Sequence, residues 1–219
     1  MTSKFAPKDR FKVLRQRGFS LTEFAIVLGV MGVVLSALWS FASIVREQAR
    51  REETKEQLMV MVAHIRDHYL GRRCASVNTS CTNGSDLTDY LLRRNALLPE
   101  QIRNRTAGVW VADHPWGVSA AGGGALANGG LAVFAGDDTG ASPDSFFTIE
   151  YRGLSRPNCI ALSASLSGVG TPTGLTQVLV NGSDAAPLPV APEVADGFCV
   201  EPAGDQNVIR LIYRLRNNG

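Results

Sequence analysis

His64 and His68 stand four residues apart, a spacing that sets two imidazoles on one helix face and can hold a metal. A metalloprotease helix would place a glutamate directly after the first histidine. Here that residue is Ile65, and no third ligand is in view. Asp137, Asp138 and Asp144 form an acidic, glycine-containing stretch whose oxygens suit calcium in type, but their spacing is not that of an EF-hand loop, so it reads as a solvated turn. Serines are plentiful, yet no Gly-x-Ser-x-Gly elbow occurs, and three histidines leave few candidates for a triad. The run Gly122-Gly123-Gly124 lacks the strand–turn–helix setting of a dinucleotide site, and no Gly-x-x-x-x-Gly-Lys phosphate loop is present. The expectation is a protein that is not an enzyme and needs no cofactor.

Four cysteines, Cys74, Cys81, Cys159 and Cys199, allow three disulfide pairings. Cys-x-x-Cys spacing is missing, which argues against zinc. Pairing Cys74 with Cys81 and Cys159 with Cys199 closes two local units and is preferred on that ground. The last candidate, Glu23, is the single formal charge between Phe19 and Val45. A carboxylate in so apolar a segment costs a few kcal/mol in a membrane and normally has a partner.

These residues need elements to position them, and the charge distribution indicates which. Residues 1–18 carry Lys4, Lys8, Arg10, Lys12, Arg15 and Arg17 against Asp9 alone, a formal +5. The rest of the chain holds 16 basic and 19 acidic groups, a formal −3. A basic head piece on a mildly acidic body is not the footprint of a nucleic-acid binder. The stretch 19–45 exceeds the roughly 20 apolar residues that span a bilayer. The denser basic cluster before it favours a cytoplasmic N-terminus, with the C-terminal part outside. It is too long for a secretory signal peptide and runs straight into a helical pattern.

The run Gly18-Phe19-Ser20-Leu21-Thr22-Glu23, after basic residues and before a long apolar helix, resembles the prepilin peptidase site of type IV pilins and pseudopilins. The resemblance implies cleavage after Gly18, N-methylation of Phe19 and a role for Glu23 in subunit registration. A physical rationale accompanies it. The amine created at Phe19 can pair with a neighbouring subunit's Glu23 inside an apolar filament core, and a buried carboxylate without that partner is costly.

Beyond Val45 the pattern turns amphipathic, with Ala49, Leu58, Met61, Val62, Ile65 and Tyr69 at helical spacing and Gly71 as a stop. One helix of about 50 residues would be about 75 Å long, so half of it must lie on a globular head, a lollipop shape. Gly29 and Gly32 within it permit close helix packing. Short helices are expected at Leu87–Ala96, with Asp86 as N-cap, and at Ser155–Ser167. Strands are expected at Val109–Ala112, Leu131–Ala135, Phe146–Tyr151, Gln177–Val180 and Val208–Arg214, with Ala120–Gly130 a glycine-rich loop. The fold class is α+β: a long N-terminal helix on an antiparallel β-sheet head. The expected divisions are a cleaved leader 1–18, a transmembrane and filament-core helix 19–45, its amphipathic continuation 46–71 and an extracytoplasmic head 72–219.

The head sharpens the resemblance. His114-Pro115-Trp116-Gly117, Phe146-Phe147-Thr148-Ile149-Glu150-Tyr151, Cys159 in a short helix, and Cys199 followed by Asn207 to Tyr213 are similar to type IVb pilins, most of all those of conjugative-plasmid thin pili. In that class the second cysteine pair, here Cys159–Cys199, staples the C-terminal region. The resemblance implies a pilus subunit for adhesion or conjugation. Its partners would be prepilin peptidase, other copies of itself, the pilus assembly platform and, before assembly, the inner membrane. The mature protein would end in an extracellular pilus. Two other readings compete: a pseudopilin of a type II secretion system, and a membrane-anchored binding domain that never polymerises.

Overall fold

The computed structural model describes residues 20–69, 81–94, 103–106, 109–116, 130–136, 143–170, 174–200 and 207–215. Contacts divide the chain into two units, Met1–Arg46 and Glu47–Gly219.

Helix α1, Leu21–Tyr69, runs 49 residues. From Leu21 to Val45 every side chain is exposed, and Glu23 is the single charge. After Glu47 the helix acquires one buried face, formed by Thr54, Gln57, Leu58, Met61, Val62, Ile65 and Tyr69. Steps of three and four residues keep that face on one side of the cylinder. Ala49, expected on the apolar face, is exposed. Thr54 takes part in the face instead, because its hydroxyl is satisfied by donating to the Arg50 carbonyl at 2.7 Å.

Within the second unit the described strands form one antiparallel sheet: β1 Arg103–Thr106, β2 Val109–Ala112, β3 Leu131–Ala135, β4 Phe146–Leu154, β5 Leu175–Val180, β6 Ser183–Asp184 and β7 Asn207–Arg214. Their spatial order is β1-β2-β3-β4-β7-β5-β6. Register places Val133 opposite Ile149, Phe147 opposite Tyr213, Ile149 opposite Leu211, and Val178 also opposite Leu211. Strand periodicity then aims these residues at one face, where they are buried with Leu58, Met61 and Ile65 of α1. The Phe147 and Tyr213 rings stack at 5.4 Å. A bulge falls between Tyr151 and Leu154, where Gly153 takes a positive φ of 69° that side-chain-bearing residues avoid.

Three shorter helices complete the unit: α2 Thr88–Arg93, α3 Arg156–Gly170 and α4 Pro192–Phe198. Asp86 lies just before α2 and accepts from the Thr88 N–H at 2.8 Å, the bond its cap role requires, although Leu87 is the N-cap residue. The two-residue turn Asn181-Gly182, with φ 51° and 81°, joins β5 to β6. Both positions have positive φ, which the Asn-Gly sequence tolerates.

Candidate functional site

The exposed first part of α1 is long and apolar enough to cross a membrane. Its N-terminal turn holds Glu23, where a carboxylate is favoured by the unpaired N–H groups of the helix end. Ser20 starts the helix by accepting the Phe24 N–H on its carbonyl at 3.1 Å, and its hydroxyl contacts that of Thr22 at 2.8 Å. Gly29 and Gly32 have open space where a side chain would stand. Ser36 donates to the Gly32 carbonyl at 2.9 Å, Ser40 to that of Ser36 at 3.1 Å and Ser43 to that of Ser40 at 2.7 Å. Returning their hydroxyls to the helix backbone lets serines sit on an apolar segment without an external partner. Glu23 is the single ionisable group on this surface from Leu21 to Val45.

Gly18 and Phe19, the expected cleavage and methylation positions, lie outside the described residues. So do Cys74, Asp137, Asp138 and the greater part of the glycine-rich loop.

In the second unit, Cys159 of α3 is bonded to Cys199 at the end of α4, with Cα atoms 6.0 Å apart across 40 residues of chain. Cys81 is also disulfide-bonded, and its expected partner Cys74 is outside the described residues. Asn207 fixes the stapled segment further. Wholly buried, it donates to the carbonyls of Leu154 at 3.0 Å and Val200 at 2.9 Å, and accepts from the Val200 N–H at 2.9 Å and the Asn181 amide at 2.8 Å. The sequence offers Asn207 as the first residue of the Asn207–Tyr213 run but not this network, because its partners Leu154 and Asn181 lie far from it along the chain.

The Trp116 indole donates to the Thr54 hydroxyl at 3.0 Å, and the Arg66 guanidinium donates twice to the Arg214 carbonyl, at 3.2 and 2.8 Å. The first ties α1 to the turn after β2, the second to the end of β7. His114 is buried and donates from Nε2 to the Arg152 carbonyl at 2.8 Å, while Nδ1 has no hydrogen-bond partner among the described residues. Burial lowers its pKa, against the raising effects of the Arg152 bond and nearby Asp113. Glu150 is buried on the opposite sheet face from the core and is gripped by Arg152 and Arg210. Two guanidiniums on one buried carboxylate repay its desolvation and form a structural clamp.

His64 and His68 remain on α1, the first exposed and the second half-buried. No group of three or more His, Cys, Asp or Glu able to hold a metal occurs among the described residues.

No family model and no curated protein matches the chain. Among solved structures it is similar to a type IVb pilin from Salmonella typhi, with TM-score 0.51 and 16% identity, over 73% of this chain and 97% of that one. Likeness at that identity establishes the fold, which is α+β and pilin-like.

Proposed function

We propose that the chain is the precursor of a type IV pilin, a filament subunit of the IVb kind. The observation that carries this reading is the pairing of a pilin-like fold with a wholly exposed apolar helix whose one charge is Glu23. An exposed surface of this kind requires either lipid or other helices around it. In the proposed cycle the precursor sits in the inner membrane, N-terminus in the cytoplasm, with Leu21–Val45 as its span. Prepilin peptidase removes residues 1–18, and Phe19 becomes an N-methylated terminus. The assembly platform then transfers the helix from lipid into a filament, exchanging one apolar environment for another. Glu23 is the exception in that exchange, since it needs a cation in the filament interior and the Phe19 amine of a neighbour supplies one. The head, stapled by Cys159–Cys199, faces solvent in an extracellular pilus serving adhesion or conjugation.

The test is the intact mass of membrane-extracted protein from cells with and without prepilin peptidase. The reading predicts loss of residues 1–18 and a methyl group on Phe19 when the peptidase is present. A full-length mass in both strains contradicts it and favours an anchored domain that does not polymerise.

A further inference from the structure

The four residues 113–116, just after β2, bind three separate parts of the second unit. Asp113 accepts from the Gly130 N–H at 3.0 Å, beside the start of β3. His114 donates to the Arg152 carbonyl of β4 at 2.8 Å. Trp116 donates its indole N–H to Thr54 of α1 at 3.0 Å. Thr54 is the first buried residue of α1, so this segment grips the helix where its cover begins. Pro115, between the histidine and the tryptophan, has a fixed φ and restricts the backbone of His114 as well. A displacement of the imidazole is therefore passed on to the indole, with little slack between them.

The grip requires a neutral imidazole. His114 is 4% exposed. With one proton on Nε2 and given to the Arg152 carbonyl, Nδ1 has a lone pair and no hydrogen-bond partner among the described residues. A second proton would have to sit on Nδ1, creating a buried donor and a buried charge with nothing to accept them.

The groups around the ring do not relieve that cost. Tyr151 packs its ring on the imidazole at 6.0 Å between centroids, and burial raises the pKa of its hydroxyl, which stays protonated. Arg152 turns its guanidinium to Glu150, on the other face of the sheet. Asp113 favours the charged imidazole through its field, but its carboxylate is taken by Gly130 and the net effect of burial is a lowered pKa. On α1 the charges flanking Thr54 pair along the helix, Arg51 with Glu47 and Lys55 with Glu52.

We infer that residues 113–116 are a proton-operated latch: protonation of His114 expels the imidazole, withdraws Trp116 from Thr54 and loosens the first turns of the packed part of α1 while the sheet stays folded. The latch is a property of the second unit and does not depend on the filament-subunit reading. Its sign follows from the histidine. Once released the ring titrates at its ordinary value of about 6.5, so the closed state is favoured above that pH and loses ground as pH falls. Between pH 7.5 and 5 the opening constant can rise at most about thirtyfold, the limit for a ring that takes no proton while latched.

Hydrogen exchange of the full chain in neutral detergent micelles, read by mass spectrometry from pH 7.5 to 5 and corrected for intrinsic rates, tests the latch. Peptides covering 48–57 and 111–117 are expected to lose protection at least about fivefold over that range, while peptides 147–151 and 209–213 of the sheet keep theirs. His114→Gln, whose amide can still donate to the Arg152 carbonyl but takes no proton, removes the pH response. Thr54→Val keeps the shape of the side chain, deletes the acceptor and lowers protection of 48–57 already at pH 7.5. Four results each overturn the latch: no pH response at 48–57 in the unaltered chain, loss of protection in the sheet in step with the helix, a pH response that persists in His114→Gln, or unchanged exchange in Thr54→Val. The unaltered chain's own pH series decides the matter should either variant fail to fold.

Discussion

The two parts of helix α1 share a backbone conformation and differ in almost everything else. From Leu21 to Val45 the helix is apolar all round and exposed all round. From Glu47 to Tyr69 it is amphipathic, and its apolar stripe of Leu58, Met61, Val62 and Ile65 is at most 1% exposed. Charged neighbours on the second part pair along the helix, Arg51 with Glu47 and Lys55 with Glu52. The first part has one carboxylate and no ion pair among its described residues. One part is covered by the rest of the chain along its apolar stripe, and the other is exposed on every side.

The comparison breaks most severely where the head loses its staple. Replacing Cys159 and Cys199 by serine releases a constraint across 40 residues, which costs about 4 kcal/mol by the chain-entropy account. Thermal melts of the full chain in detergent, followed through the head's aromatic signal, measure it. Next in size, Leu58→Ala removes a side chain buried against the sheet and costs about 3 kcal/mol in the same melt.

His114 gives a smaller, pH-dependent effect. Burial holds its folded pKa below the unfolded value of about 6.5, so the unfolded chain binds the proton more readily. Its contribution to stability is complete above about pH 6.5 and is lost as pH falls toward the lowered folded pKa. The slope in that window approaches at most about 1.4 kcal/mol per pH unit. Denaturant titrations from pH 7.5 to 5 measure it, and His114→Gln should flatten that portion of the profile. Trp116→Phe, which deletes the indole donor to Thr54, costs about 1 kcal/mol. Smallest of all, Leu35→Ala changes head stability by less than about 0.5 kcal/mol, because its side chain is exposed. A large effect of Leu35→Ala on the melt would erase the distinction between the two parts of the helix.

Much of this organisation is legible in the sequence where periodicity carries it. The apolar run of α1 and its change of character after Val45 are visible directly, and the runs Val109–Ala112 and Leu131–Ala135 match β2 and β3 residue for residue. β1 is not legible, since Arg-Asn-Arg-Thr has no apolar alternation and gains its strand from pairing with β2 at the sheet edge. β6 is two polar residues held by the Asn181-Gly182 turn, too short to leave a pattern. α4 is hidden because Pro192 and Gly197 read as loop residues, although proline suits the first turn of a helix. Glu23 is conspicuous by type alone, a charge where none belongs. The Asn207 network and the Glu150 clamp depend on neighbours distant in sequence, and no local signal announces them.

The most direct measurement is the composition of filaments sheared from the surface of cells that express the chain, by mass spectrometry and electron microscopy together. The account predicts filaments whose protomer is this chain, beginning at Phe19, with the Leu21–Val45 helices packed in the interior and the stapled heads outside. Recovery of the chain solely as an unassembled inner-membrane protein, in cells competent to assemble pili, would contradict it.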